Sequence, residues 1–175
     1  SMQKVVVKSA ANAPLWGALY RQYFEEIQQV TASKGALQVE KKLFVERNNG
    51  QGIELQPVTD GTPLHKGDKV IVRLTLRADR DMEYVHLKDL RAGCFEPTQQ
   101  MAGSSYKDGL WMYHAPEDAA EHFFIHRLPK GTFVLEYAVY TERSGNYSGG
   151  ISTIQCLYAP EFVSHTAGSK ILVQD

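Results

Sequence analysis

Surplus charge of either sign is missing from this 175-residue chain: 19 Lys and Arg face 20 Asp and Glu, a formal net charge of −1. Without a basic surplus there is no electrostatic footprint for nucleic acid. Long apolar runs are missing too. No stretch approaches the ~20 residues of a membrane span, and the N-terminus lacks the apolar core of a signal peptide. Cysteine is scarce, with only Cys94 and Cys156, far apart and in no C-x-x-C pair. They are either one disulfide of an exported protein or two small buried hydrophobes. What is present is ordinary for a globular domain: 43% hydrophobic and 22% charged residues. The length suits one domain with a core that needs no metal or disulfide staple. Ser1-Met2 reads as a scar of expression, and 3–175 as a single domain cut from a longer chain.

Period-two alternation dominates. "KVIVRLTLR" sets Val70, Val72, Leu74 and Leu76 against Lys69, Arg73, Thr75 and Arg77. Phe133, Leu135, Tyr137 and Val139 alternate in the same way after a turn at Pro129–Gly131. "LQVEKKLFVER" matches with one flaw, since charged Lys41 and apolar Phe44 are exchanged relative to the ideal. Residues 83–89 follow a turn at Asp79–Asp81 and predict a hairpin with 69–77. Further strands are expected at 110–113, 122–128, 132–142, 147–158 and 169–174. Turn clusters such as Asn48-Asn49-Gly50 and Lys107-Asp108-Gly109 separate them. The fold expected is an antiparallel all-β sandwich of roughly nine to eleven strands with at most one or two short helices. "APEDAAEH" (115–122) is the short-helix candidate, with acidic residues in its first turn. Residues 15–27 fit either a helix or a strand.

Reactive constellations are lacking. His122 and His126 lie four apart and bracket Phe123-Phe124-Ile125. On a strand that spacing is about 13 Å, too far to share one ion. Ser104 and Ser105 stand in no G-x-S-x-G elbow, and Gly67-Asp68-Lys69 lacks the P-loop spacing. Glu117, Asp118 and Glu121 read as a solvated acidic face rather than an acid–base pair. "NYS" (146–148) fits a glycosylation acceptor, a common chance match. The expectation is a domain without catalytic residues, metal or cofactor.

Function is suggested by a resemblance. "EYVHLKDLRAGCFEP", "SSYKDGLWMY" and "HFFIHRLPKGTFVLEYAVYTERSGNYSGGISTIQCLYAPEFVSHTAG" occur in that order over about 83–168. Together they resemble the closing, macroglobulin-type β-sandwich domain of bacterial alpha-2-macroglobulins, in versions from Bacteroides-like bacteria. "APLWGALYRQYFEE" resembles the strand by which such chains leave their thioester domain. The resemblance implies a non-catalytic part of a broad-spectrum protease inhibitor, held in the periplasm or at the cell surface as a lipoprotein. Implied partners are the thioester and other macroglobulin domains of the same chain and, through the whole protein, target proteases; the domain itself is expected to be a monomer. The family's thioester motif, Cys-x-Glu-Gln, is not met at Cys94, followed by Phe95-Glu96-Pro97, or at Cys156, followed by Leu157-Tyr158-Ala159. The resemblance also implies a tyrosine that shields the thioester of the neighbouring domain, with Tyr158 the candidate and Tyr106 the alternative. The competing reading is a carbohydrate- or protein-binding module of a bacterial surface protein, with Trp16, Trp111 and Tyr113 in a stacking platform.

Overall fold

A computed structural model describes Val6, Lys8, Pro14 and residues 24–175. Fourteen strands stand among the described residues: β1 (Leu37–Asn48), β2 (Ile53–Val58), β3 (Pro63–His65), β4 (Lys69–Ala78), β5 (Met82–Leu90), β6 (Phe95–Pro97), β7 (Gly103–Lys107), β8 (Leu110–Pro116), β9 (Ala120–Leu128), β10 (Gly131–Thr141), β11 (Gly145–Ser148), β12 (Ser152–Cys156), β13 (Ala159–His165) and β14 (Lys170–Gln174). The excess over the expected number comes from short strands and from Gly149-Gly150, which splits 147–158 in two. Gly150 has φ +71°, and a Cβ there would lie 2.2 Å from the Leu90 carbonyl oxygen, so only glycine fits this corner.

Two sheets face each other. One is ordered β2-β1-β4-β10-β6 and the other β13-β12-β5-β9-β8-β7, with a small β11-β14-β3 sheet beside them. Pairings are antiparallel except β14 with β3. The all-β sandwich is therefore as the alternation predicted. Its core is formed by the in-phase residues of both sheets: Leu37, Val39, Leu43 and Val45 of β1 and Val70 to Leu76 of β4 meet Val85 and Leu87 of β5 and Phe123 and Ile125 of β9.

Two expectations are corrected. The turn at Asp79–Asp81 does not close a hairpin: β4 pairs with β1 and β10, whereas β5 pairs with β9 and β12. The chain crosses between sheets there, and Asp81 fixes the crossing by accepting from the Lys130 amide at 2.8 Å. Residues 115–122 form no helix: they are the end of β8, a three-residue turn at 117–119 and the start of β9. The Arg91 guanidinium binds the Glu117 and Asp118 carbonyls, removing acceptors that a first helical turn would need. The undecided segment 15–27, like Trp16 and the resemblance drawn for "APLWGALYRQYFEE", lies largely outside the described residues. At its end Ile27–Gln29 form one 3-10 turn.

Candidate functional site

The β1 flaw marks a buried charge cluster. Lys41 keeps the inward phase of Leu37, Val39, Leu43 and Val45, with no slip in the β1–β4 register. Its ammonium crosses to the other sheet and donates to Asp89 Oδ1 at 2.8 Å, to the Leu90 carbonyl at 2.9 Å and to the Gly149 carbonyl at 3.2 Å. Asp89 is fully buried and also accepts from Ser152 Oγ at 2.7 Å and from the Tyr137 hydroxyl at 2.5 Å. Burial first, and then the Asp89 charge, drives the Tyr137 hydroxyl well above its usual pKa, so it stays a donor. Phe44, out of phase, lies on the other face beneath the Arg73 guanidinium, 4.5 Å from its ring centre.

Directly across the β5–β9 ladder from Asp89 stands Glu121. Glu121 is buried at 1% exposure, so it is no part of a solvated acidic face, and that expectation is corrected. It shares the inward phase of Phe123 and Ile125, and it binds Arg91 Nη1 and His114 Nε2, each at 2.5 Å. Carboxylates directly opposite repel. Lys41 and Arg91 supply one cation for each, which makes the cluster a two-plus-two arrangement between the sheets. His114 thus joins Arg91 in holding the Glu121 carboxylate inside the sandwich.

The outer face of the β5–β9–β8 sheet has a different character. His122, Phe124 and His126 alternate with buried Phe123 and Ile125, as strand residues rather than a helical pair. His122 is close to a histidine that the sequence did not bring to notice, His86 on β5. His86 Nε2 and His122 Nδ1 are 2.9 Å apart, with ring planes 15° apart. Only cross-strand register brings these two together. Among the described residues no three His, Cys, Asp or Glu converge as metal ligands.

Burial, then the nearby His122 and Lys88 charges, lower the His86 pKa from 6.5, with Glu117 opposing. The unfolded chain therefore binds the proton first as pH falls. Stability is expected to be unaffected by His86 above about pH 7 and to decline from about pH 6.5 downward until the folded His86 itself titrates. Thermal melts between pH 5 and 8 check this: His86→Gln should flatten part of the acid-side decline, and an unchanged profile would refute it.

Tyr158 occupies the two-residue tip of the β12–β13 hairpin and is 81% exposed. It is set by Tyr84, whose φ of +53° is an outlier for an aromatic residue. There Tyr84 drops out of the β5–β9 ladder, whose register continues unshifted on either side, and its carbonyl accepts from the Leu157 amide at 2.9 Å. Its ring meets Tyr158 edge-on, with centroids 5.0 Å apart. Tyr106, on β7, is also exposed and leans on Trp111 with centroids 5.4 Å apart. Both cysteines are free and buried. Burial lifts the Cys94 thiol to about 11 and also raises that of Cys156, so both act as small hydrophobes.

Sheet order and the crossing between sheets define a macroglobulin-type β-sandwich. Residues 37–161 match the family model of the bacterial alpha-2-macroglobulin MG10 domain, and the chain belongs to that family. Its fold is similar to Salmonella alpha-2-macroglobulin reacted with methylamine, at 18% identity and a TM-score of 0.65 over 83% of this chain and 10% of that one. It is similar to Escherichia coli alpha-2-macroglobulin activated by porcine elastase, at 16% identity and a TM-score of 0.66 over 83% of this chain and 14% of that one. A native E. coli structure running from domain MG7 to the C-terminus matches at 15% identity and a TM-score of 0.64, over 82% of this chain and 24% of that one. The chain thus spans a tenth to a quarter of the length of these relatives. No curated protein matches it significantly.

Proposed function

We propose that this domain is a non-catalytic part of a bacterial alpha-2-macroglobulin-like protease inhibitor, packed against the thioester domain of its parent chain and shielding the thioester with Tyr158. Family membership supports the setting. Methylamine, named with the Salmonella relative, is a nucleophile of the kind that opens thioesters, and an E. coli relative is described as activated by elastase. The parent then works outside the cytoplasm, in the periplasm or as a surface lipoprotein, where it meets proteases. The observation that carries the reading is the hairpin tip: Tyr158 is presented outward at 81% exposure, braced by the strained Tyr84. An aromatic ring held there can cover an acyl bond and keep water from it, while its hydroxyl retains a partner.

In the full-length parent, Tyr158→Ala is expected to speed spontaneous thioester hydrolysis by about tenfold, read as release of free thiol. Tyr158→Phe should stay near wild type, because the ring does the covering, and Tyr106→Ala should have no effect. Equal hydrolysis in the wild type and Tyr158→Ala would reject Tyr158 as the shield.

A further inference from the structure

Strand β1 has neighbours on both sides along only part of its length. β2 pairs with Leu43–Asn48 and ends at Val58, opposite Leu43, whereas β4 pairs with Leu37–Val45. Leu37–Lys42 therefore carry a ladder on one side, and among the described residues no backbone group bonds to their other edge. In an antiparallel strand both backbone groups of every second residue point the same way. Three of these six residues thus offer an unpaired N–H and C=O, over roughly 20 Å. A slot of about 610 Å³ follows this edge, bounded also by 32–34, 58–60 and 166–170. Val39, Leu43 and Val58 give it apolar walling. Lys34, Lys42, Arg77 and Lys170 line it against only Glu40 and Asp60, a local basic surplus on a chain of net charge −1. Lys42 is paired with Glu40 at 3.1 Å, while Lys34, Arg77 and Lys170 form no ion pair among the described residues.

We propose that this slot takes an extended acidic peptide of another protein, which adds to β1 as a strand where β2 stops. Main-chain hydrogen bonds to an open edge supply affinity in this mode, and alternate side chains supply selectivity. Side chains of the added strand turned inward meet Val39, Leu43 and Val58; those turned outward meet the face that bears Lys42 and Arg77. The segment that fits alternates small apolar with acidic residues and has a neutral residue opposite Glu40, where like charges would repel. An inward charge is a common guard of an open edge. Lys41 is no such guard, because its ammonium is committed to Asp89 and to the Leu90 and Gly149 carbonyls. Charge also selects against other occupants. Residues 1–23 hold Lys4, Lys8 and Arg21 and no Asp or Glu, the wrong sign for this slot. A second copy paired edge to edge would set one basic slot against another. A polyanionic glycan would leave the free ladder and the apolar walling unused. Tyr158 does not line the slot, so the proposal stands apart from thioester shielding.

The test titrates a fluorescein-labelled, C-terminally amidated peptide, Glu-Val-Thr-Val-Glu-Val, onto the 175-residue chain and follows anisotropy. Saturable binding is expected, about tenfold weaker when Lys replaces both Glu of the peptide, and about tenfold weaker for the Lys34→Glu, Lys170→Glu double variant. Both lysines are exposed, so the double variant keeps the fold. Two further peptides carry backbone N-methyl groups on alternate residues, one on each of the two sets. One of them should lose binding and the other keep it, because only one set donates to β1. Bound peptide should slow amide exchange at three alternate residues within 37–42. No saturable binding by about 1 mM would overturn the inference. Equal binding of the Lys peptide, binding by both methylated peptides, or unchanged exchange at 37–42 would also overturn it. Binding of heparin but not of the peptide would assign the cations to a polyanion. Edge amides already protected in the full-length parent before peptide is added would assign the slot to the parent's own chain. Either of these results likewise overturns the inference.

Discussion

Asp89→Ala is expected to cost about 3–5 kcal/mol of folding stability, because it strands a buried ammonium. Asp89 is fully buried and accepts from Lys41, Ser152 and Tyr137. Without the carboxylate, Lys41 keeps only two carbonyl acceptors between the sheets. A domain of this size typically has about 5–15 kcal/mol in all, so the loss is a third or more of it. Urea unfolding should show a lower midpoint with an unchanged slope. The pair Lys41→Met with Asp89→Leu should recover much of the loss, since apolar replacement of a buried ion pair is often close to neutral. A single-variant loss below about 1 kcal/mol would mean that water reaches the cluster.

Glu121→Ala should be nearly as severe, at about 3 kcal/mol, the low end of the range for breaking a buried pair. Arg91 retains the Glu117 and Asp118 carbonyls, which softens the loss, while His114 loses its carboxylate partner. Glu121→Gln keeps the shape and one acceptor and is expected to cost clearly less. Because Asp89 and Glu121 are directly opposite, their effects should not add: losing either one relieves repulsion on the other. Additive losses in the double variant would show that the two ion pairs act independently.

Much of the fold was legible because alternation is a local property. Val70 to Leu76 and Leu135 to Val139 turned their apolar residues inward as read. The flaw at Lys41 and Phe44 was also legible, as the surface trace of the charge cluster, but its partners were not. Asp89 and Glu121 carry the inward phase of Val85–Leu87 and Phe123–Ile125, a signal that could have identified both as buried. The reading of 115–122 as a helix weighed acidic residues in its first turn and could not weigh Arg91, which takes the turn carbonyls from another part of the chain. His86 and His122 meet only through register, which sequence leaves open. Tyr158 was singled out by resemblance; that it is presented outward depends on the φ of Tyr84, which no residue pattern discloses.

The most direct measurement is the lifetime of the thioester in the parent chain, followed as free thiol release, with and without this domain. The account predicts a thioester that survives in the intact parent, is lost about tenfold faster once residues 24–175 are removed, and is restored when the domain is supplied in trans. A parent with no thioester, or one whose thioester decays at the same rate in both forms, would contradict it.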